Sequence, residues 1–434
     1  MKRWSCFLLF SLALFFGTQS AHGAGGEMDT LLKTLVSKGI LSPSEAESIA
    51  KETQTAAASE KMAAQKTPDE KGSELPGWIK NTKFKGDLRL RYESKDLEKE
   101  DHTRERARFR LRLGAETKIA DTITAGFGFA TAMPSTSSDR SGGDPRSGNF
   151  TLQDSFSKKN LWVDYAYARW TPVQQFSITG GKFANPFWQP SDMLISADIN
   201  PEGAAIKLEG NVADNFGLFF NGGIFVLDER EKGSDPLMYA LQAGFKWNIT
   251  KDVFFRFAPA YYTFTQLKGN TVLEWVSGKD QGTTNTTTGT YPNKHYVYDY
   301  NVMNLGGELG FNTPFGLTAI PYLGIFGGYA HNSDPSDNTD AYLVGFALGH
   351  RDVKKFCDWS IEYTYRKMEK DAWLDVFPDS SFYSGKTNVK GHRAKLLFGL
   401  AKNTAFGFNY YNTRNIIGDK RVENIYQGDL IFKF

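Results

Sequence analysis

The residues with the clearest chemical pattern are arginines that alternate with apolar residues in two consecutive segments. They are Arg89, Arg91, Arg104, Arg106, Arg108, Arg110 and Arg112. Successive side chains of a β-strand point to opposite faces, so each segment has one arginine face and one apolar face. If Phe109 and Leu111 face lipid, the arginines face an aqueous interior, because an arginine turned to lipid costs about 2–4 kcal/mol near the bilayer midplane. Such a wall concentrates anions, so we expect the arginines to line a pore that favours anions.

A long connecting segment, residues 185–202, is our candidate for a loop that narrows this pore. It contains Phe187 and Ile195, which are apolar for a loop exposed to water. Folded inward, the loop would pack against the inner wall and turn Asp192 and Asp198 toward the basic strands. The alternative is that the same apolar residues lie at a contact between subunits.

Carboxylates could cancel the field of the arginines. Glu308 and Glu362 belong to later segments with the same alternation and would point into the same interior. The formal net charge of the whole chain is +2, which Lys2 and Arg3 account for. The sequence leaves open whether the interior carries a net positive field. The balanced charge also gives no reason to expect nucleic acid as a partner.

The sequence gives little support for a metal site or a catalytic site. The histidines beyond the N-terminal segment are His102, His295, His331, His350 and His392. No two of them have the close spacing of metal ligands, and no serine nucleophile motif flanks His392, which begins a candidate strand. We therefore expect no catalytic residues, no metal site and no cofactor.

The first residues have the features of a secretory signal peptide. Lys2 and Arg3 precede an almost unbroken apolar run, Phe7–Phe16, and small residues follow at Ala21 and Gly23. The run is too short to anchor the chain across a membrane. We therefore assign residues 1–23 to a signal peptide and expect the mature chain to be exported.

Residues 24–77 are expected to form a short periplasmic helical segment and a linker. Ser42, Pro43 and Glu45 match the pattern of a helix start, in which Ser42 caps the helix and Glu45 completes a capping box. Residues 68–76 are polar and rich in helix breakers, as is typical of a linker. We interpret the segment as a spacer, and the alternative is a self-associating or envelope-binding module.

Residues 78–434 show a hydrophobic period of two, which predicts a transmembrane antiparallel β-barrel of about sixteen strands and an all-β fold. The mean hydropathy of −0.43 is too low for a helical membrane protein, whereas the 14% of aromatic residues is high for a soluble enzyme. The candidate strands lie near residues 82–94, 104–118, 122–131, 159–170, 175–184, 203–210, 215–226, 237–247, 252–264, 301–311, 317–330, 341–350, 358–368, 390–400, 404–412 and 422–434. Four tryptophans are expected near the membrane interfaces: Trp162, Trp170, Trp188 and Trp247.

The predicted connections alternate between short and long, as in outer-membrane barrels with tight periplasmic turns and longer outer loops. An even number of strands places both ends of the barrel on the periplasmic side. The longest connection, residues 265–300, contains the run TTNTTTGT from Thr283 to Thr290. We interpret this run as a mobile, solvated loop. Long loops could also bind partners, so a barrel-anchored adhesin or structural envelope protein is the alternative to a channel.

The C-terminal strand resembles the signal by which the outer-membrane barrel assembly machinery takes up its substrates. Its terminal residue is aromatic, and apolar or aromatic residues precede it at alternate positions. The set is Tyr426, Leu430, Phe432 and Phe434. The resemblance implies that the assembly machinery is a partner of this chain.

Two short motifs resemble the bacterial putative porin family, which is distantly similar to the phosphate-selective porins O and P. They are ITGGKFANPFW, from Ile178 to Trp188, and DINPEG, from Asp198 to Gly203. The resemblance implies an outer-membrane channel for passive diffusion of small hydrophilic solutes or ions, often a homotrimer, in contact with outer-membrane lipid and lipopolysaccharide. The resemblance assigns no residue of this chain to the binding of a specific substrate.

Overall fold

The computed structural model describes residues 36–38, 42–51, 80–134, 142–273, 284–290 and 293–434. The chain divides into two units, Met1–Leu75 and Pro76–Phe434. The predicted signal peptide and the linker at 68–76 lie outside the described residues. None of the helices in the described ranges has the length and apolar character needed to cross a membrane.

In the first unit, residues 43–51 are helical, and the helix begins as the sequence predicts. The backbone N–H of Ser42 donates to Glu45 Oε2 at 2.8 Å, and the N–H of Glu45 donates to Ser42 Oγ at 3.3 Å. These reciprocal bonds satisfy two backbone donors that the helix itself leaves free. The predicted capping box is thereby confirmed.

The second unit is a closed antiparallel β-barrel, and among its described residues sixteen long strands follow one another around the wall. Their bounds are β1 Thr82–Leu97, β2 Arg104–Ala120, β3 Ile123–Thr131, β4 Leu161–Val173, β5 Phe176–Lys182, β6 Glu202–Ala213, β7 Phe216–Val226, β8 Leu237–Asn248, β9 Val253–Phe264, β10 Asn301–Asn312, β11 Tyr322–Asn332, β12 Asp340–Gly349, β13 Trp359–Met368, β14 Val389–Ala401, β15 Thr404–Asn415 and β16 Glu423–Lys433. Each strand pairs with its neighbours in sequence, and β1 pairs with β16 to close the sheet. The predicted barrel of sixteen strands is confirmed.

The strands turn their apolar residues outward and their charged residues inward. On β1, Leu90 and Tyr92 keep 44% and 53% of their surface exposed, whereas Arg91 and Glu93 keep 7% and 2%. This is the reverse of a soluble strand, which buries its apolar face in the core. An outer surface of this kind is stable where lipid replaces water.

The connections sort into two ends of the barrel. At one end the turns are short, such as residues 121–122, 214–215 and 402–403. At the other end lie the longest connections, which are 265–300, 132–160 and 369–388. We call these the short-turn end and the long-loop end.

The interior contains a hydrophobic cluster, built by loops that fold inward from the long-loop end. From residues 183–201 it takes Phe187 and Ile195, which are 5% and 3% exposed, and from residues 369–388 it takes Trp373, which is fully buried. The Trp373 ring packs edge-on against Tyr262 of β9, with ring centroids 5.1 Å apart. We call this group the inner cluster.

The threonine-rich run is solvated only in part. Residues 288–290 are exposed, whereas residues 284–287 are buried or half-buried. Asn285 is 1% exposed, and its side-chain amide donates to the carbonyl oxygens of Lys370 and Trp373, both at 2.8 Å. The Thr286 N–H donates to Asp371 at 2.7 Å. For residues 284–287 the prediction is wrong because these short polar side chains satisfy the backbone and carboxylate of the buried 369–388 loop.

Two of the four tryptophans also lie elsewhere than predicted. Trp170 and Trp247 face outward, with 47% and 42% of their surface exposed. Trp162 is half-buried and donates its Nε1 to the carbonyl of Ala132 at 3.3 Å. Trp188 lies inside the barrel, on the inward-folded 183–201 loop, with the Arg256 guanidinium 4.3 Å from its ring centroid. Strand β4 is apolar on both faces, so parity alone could not orient Trp162.

The C-terminal residue closes the seam between the first and last strands. Phe434 exchanges two backbone hydrogen bonds with Gly86, at 2.7 and 3.0 Å. Its ring lies over Gly86, where a Cβ atom would come within 2.5 Å of the ring. The last residue is therefore part of the closure.

We expect Phe434→Ala, or removal of Lys433 and Phe434, to leave exported but unassembled protein in the periplasm, because the seam loses its end contact and the C-terminal signal is altered. Heat-modifiable migration on gels and surface labelling of cells would measure assembly. Lys433→Ala is the matched control and should assemble normally. Normal surface exposure of Phe434→Ala would contradict this prediction.

Candidate functional site

Six of the seven predicted arginines form a ladder on the inner wall. They are Arg89 and Arg91 on β1 and Arg106, Arg108, Arg110 and Arg112 on β2, and we call them the arginine ladder. Arg89 lies directly opposite Arg110, and Arg91 opposite Arg108. Like charges opposite each other on neighbouring strands are unfavourable, so the ladder requires carboxylates nearby. Arg104 is exposed at the long-loop end of β2, outside the ladder.

The end of the ladder nearest the short turns is held by Asp87 and Asp198. Asp87 accepts from Arg110 Nη2 at 2.7 Å and from Arg112 Nε at 2.6 Å. Asp198 reaches them from the 183–201 loop and lies 3.5 and 3.4 Å from the same two guanidinium groups. The loop therefore brings one of its two predicted carboxylates to the basic strands.

The other end of the ladder is held by Glu93 and Asp429. Glu93 pairs with Arg106 and, at 3.3 Å, with Arg108. Asp429 binds Arg91 with two parallel hydrogen bonds, at 2.6 and 2.7 Å. The two-bond geometry is the strongest arrangement an arginine makes with a carboxylate. It fixes these side chains as part of the wall.

Several inner-wall arginines have no ion pair within the described ranges. Arg89 donates to the Asn149 amide oxygen at 2.7 Å. Arg366 is 2% exposed and stacks 3.6 Å above the Phe382 ring. Arg256 stacks on Trp188. Dipoles and aromatic faces contact these guanidinium groups directly, and carboxylates act on them from beyond ion-pair distance.

Asp192 does not face the arginine ladder, and this part of the prediction is wrong. It pairs with Arg393 of β14 at 2.8 Å. The same guanidinium contacts Glu362 of β13 at 2.6 Å and Asp379 of the 369–388 loop at 3.8 Å. Asp192 and Asp198 therefore contact different parts of the wall, β14 and β2, which lie four strands apart around the barrel.

The two loop carboxylates that contact Arg393 have pKa values shifted in opposite directions. Burial opposes ionisation of Asp192, but the adjacent Arg393 holds the pKa of that carboxyl below its usual range. Burial, together with the negative charge of Asp192, raises the pKa of Asp379. One arginine therefore anchors both inward loops, chiefly through the ionised Asp192.

Two cavities of about 650 Å³ each meet at the end of the arginine ladder nearest the short turns, where Arg112 lines both and Arg110 lines one. One extends toward the long-loop end and the other toward the short-turn end. They share four lining residues, Arg112, Asp164, Asp198 and Asn200. We call this shared zone the candidate constriction. It combines the cation of Arg112 on β2 with the carboxylates of Asp164 on β4 and Asp198 of the 183–201 loop.

Sequence reasoning missed two parts of this site. Asp164 lies where the pairing of β3 with β4 shifts register, and such an irregularity cannot be read from an apolar strand. The 369–388 loop carries Trp373, Leu374 and Phe377, which are too apolar for an exposed loop. The rule that singled out residues 185–202 would have found it as well.

The described residues also bear on metal binding and on the surroundings of His392. No group of three or more His, Cys, Asp or Glu side chains there could hold a metal ion. His392 faces outward and shares a hydrogen bond of 2.7 Å with the Tyr363 hydroxyl.

Comparison with known proteins connects this geometry to a family. The sequence profile of a family described as putative porin matches residues 97–297 and 295–434. The chain belongs to the putative porin family. The family and the fold are those of outer-membrane channels rather than of enzymes.

Solved structures with a similar fold are porins and outer-membrane proteins. The high-pH structure of Pseudomonas putida OprB is 11% identical, with a TM-score of 0.54, over 85% of this porin and 98% of OprB. The outer-membrane channel DcaP of Acinetobacter baumannii is 12% identical, with a TM-score of 0.44, over 81% and 97% of the two chains. The trimer form of Vibrio cholerae OmpT is 12% identical, with a TM-score of 0.43, over 81% and 99%. No curated protein matches the sequence.

We expect deletion of Ser191–Ile195 to raise the single-channel conductance of this porin, because the loop that fills part of the lumen would lose its anchor on Arg393. Planar-bilayer recording would measure the change. Deletion of residues 231–234, which are exposed in another long loop, is the control and should leave conductance unchanged. Unchanged conductance after the first deletion would instead favour a role for the loop in subunit contact.

Proposed function

We propose that the protein is a passive channel of the outer membrane for small hydrophilic solutes and ions, with a preference for anions. The observation that carries the channel proposal is the candidate constriction, whereas the anion preference rests on inner-wall arginines outside it. Two cavities on either side of Arg112 and Asp198 give a polar route along the barrel wall. A charged, water-filled route through an apolar-coated barrel suits charged and hydrophilic solutes.

The anion preference depends on how completely carboxylates neutralise the inner wall. Glu362 pairs with Arg393, and Glu308 accepts a hydrogen bond from Tyr322, so neither contacts the arginine ladder. Asp87, Glu93, Asp198 and Asp429 do neutralise much of it. Arg89, Arg256 and Arg366 add positive charge beyond these pairs. We therefore expect a moderate preference for anions rather than an exclusive one.

The proposal includes an orientation and partners. With an N-terminal signal peptide, export precedes insertion, and both ends of the barrel would lie on the periplasmic side. The short-turn end then faces the periplasm and the long-loop end faces outward, in contact with lipopolysaccharide. The barrel assembly machinery would insert the chain, and a homotrimer is the assembly that the family resemblance implies.

The main alternative is a barrel that holds binding loops and does not conduct. Reconstitution of the purified protein into liposomes distinguishes the two, because a channel admits small ions and a sealed barrel does not. Absence of conductance in liposomes would overturn the proposed function.

We expect Arg110→Ser and Arg112→Ser to reduce the preference for chloride over potassium, because Asp87 and Asp198 would lose their cations at the candidate constriction. The reversal potential in a salt gradient across a planar bilayer measures this preference. Arg104→Ser, which removes an arginine outside the ladder, is the matched control and should change little. Cation preference in the unmodified protein would refute the anion preference.

A further inference from the structure

Three basic side chains form one row across adjacent strands on the outer wall, at the long-loop end. Lys367 lies opposite Lys390 in the pairing of β13 with β14. Lys390 lies opposite Arg414 in the pairing of β14 with β15. The row has the outward parity of Tyr365 and His392, which pair two residues nearer the middle of the barrel. We call Lys367, Lys390 and Arg414 the basic row.

The chain supplies little counter-charge to the basic row. Lys367 pairs with Glu369 at 2.8 Å. For Lys390 and Arg414, however, the described ranges contain no ion pair with a carboxylate. Two like charges directly opposite each other on paired strands repel, and an anion between them removes the penalty. The surface therefore has the charge of a site for an anion from outside the chain.

The aromatic residues beneath the basic row indicate its depth in the membrane. The Tyr365 and His392 rings lie 5.0 Å apart, and Tyr410 stacks on Tyr426 at 4.9 Å. Belts of aromatic residues mark the interface between the hydrocarbon and the headgroups. The row lies one two-residue step beyond Tyr365, which is about 7 Å along a strand. That distance places its charges at the level of the lipid headgroups.

Below the belt the same wall is apolar. Phe346 of the neighbouring strand β12 and Ile361 of β13 keep 42% and 38% of their surface exposed. A ligand that fits the whole surface has an anionic head for the basic row and hydrocarbon chains for the strip beneath. An inorganic anion would use only the upper half of this surface.

We propose that the basic row binds the phosphate groups of lipopolysaccharide, whose acyl chains lie against the apolar strip of β12 and β13. The proposal rests on the orientation given under the proposed function, in which the long-loop end faces outward. Arg414 can bind two phosphate oxygens at once through its planar guanidinium, whereas Lys390 acts as a compact charge. The site would hold one lipid at a fixed position on the barrel.

The test measures binding of lipid A to the purified full-length protein in detergent by native mass spectrometry. The probes are phosphorylated lipid A and the same lipid A after enzymatic removal of its phosphates. We expect the phosphorylated lipid to bind more tightly, and Lys390→Gln with Arg414→Gln to weaken its binding by about tenfold or more. Lys232→Gln with Lys268→Gln, two exposed cations of loops at the same end, is the matched control and should retain the affinity.

Heat-modifiable migration confirms that both double variants fold, so a loss of binding is not a loss of the barrel. Equal binding of the two lipid A forms would overturn the proposal, as would unchanged affinity in the Lys390 and Arg414 variant. If the Lys390 and Arg414 variant changes only the number of subunits in the assembly, the basic row contacts another copy of the chain. This outcome would also overturn the proposal. Conductance recorded in parallel tests the channel separately, because a non-conducting protein that still binds lipid A contradicts only the proposed function.

Discussion

Inside a bilayer no water replaces a lost backbone hydrogen bond, and the rest of this structure depends on that constraint. Each strand must pair on both sides, so the first strand has to meet the last. The pairing of β1 with β16 provides this, and Phe434 extends it by two backbone bonds with Gly86. Closure in turn fixes which face of every strand points inward, because a shift by one residue would exchange the two faces.

Closure leaves an interior that side chains of the wall alone do not fill. Sixteen strands enclose a wide lumen, and here loops from one end occupy part of it. The inner cluster is the hydrophobic core of these loops, with Trp373 and Ile195 as buried members. Arg393 holds both loops through Asp192 and Asp379. The two cavities of the candidate constriction consequently lie on the side of the barrel that carries the arginine ladder.

The ladder would be unstable without its acidic partners, because opposed arginines on paired strands repel. Asp87, Glu93 and Asp429 belong to the wall itself, whereas Asp198 reaches the ladder from a loop. A lining of this kind is held rigidly and keeps a local field even where the total charge is small. In the proposed channel, selectivity would depend on the position of these charges rather than on their number.

The alternation of side chains in the sequence determined the fold, the number of strands and the arginine face, because period two and an apolar outer face leave one arrangement in lipid. It also located the helix start at Ser42, since a capping box is a local motif. The eleventh strand begins at Tyr322 rather than near residue 317, because the turn around Thr313 and Phe315 uses left-handed backbone conformations that no local pattern announced.

Only the tertiary structure decided how the loops fold. Asp192 and Asp198 are six positions apart in the sequence, yet they contact strands that lie four apart around the barrel. Asn285 is buried because residues 370–375, far along the chain, offer it backbone partners. Such contacts join residues separated by 85 to 201 positions, and no periodicity encodes them. The wall follows from repeated local chemistry, whereas the candidate constriction follows from how the closed wall confines its loops.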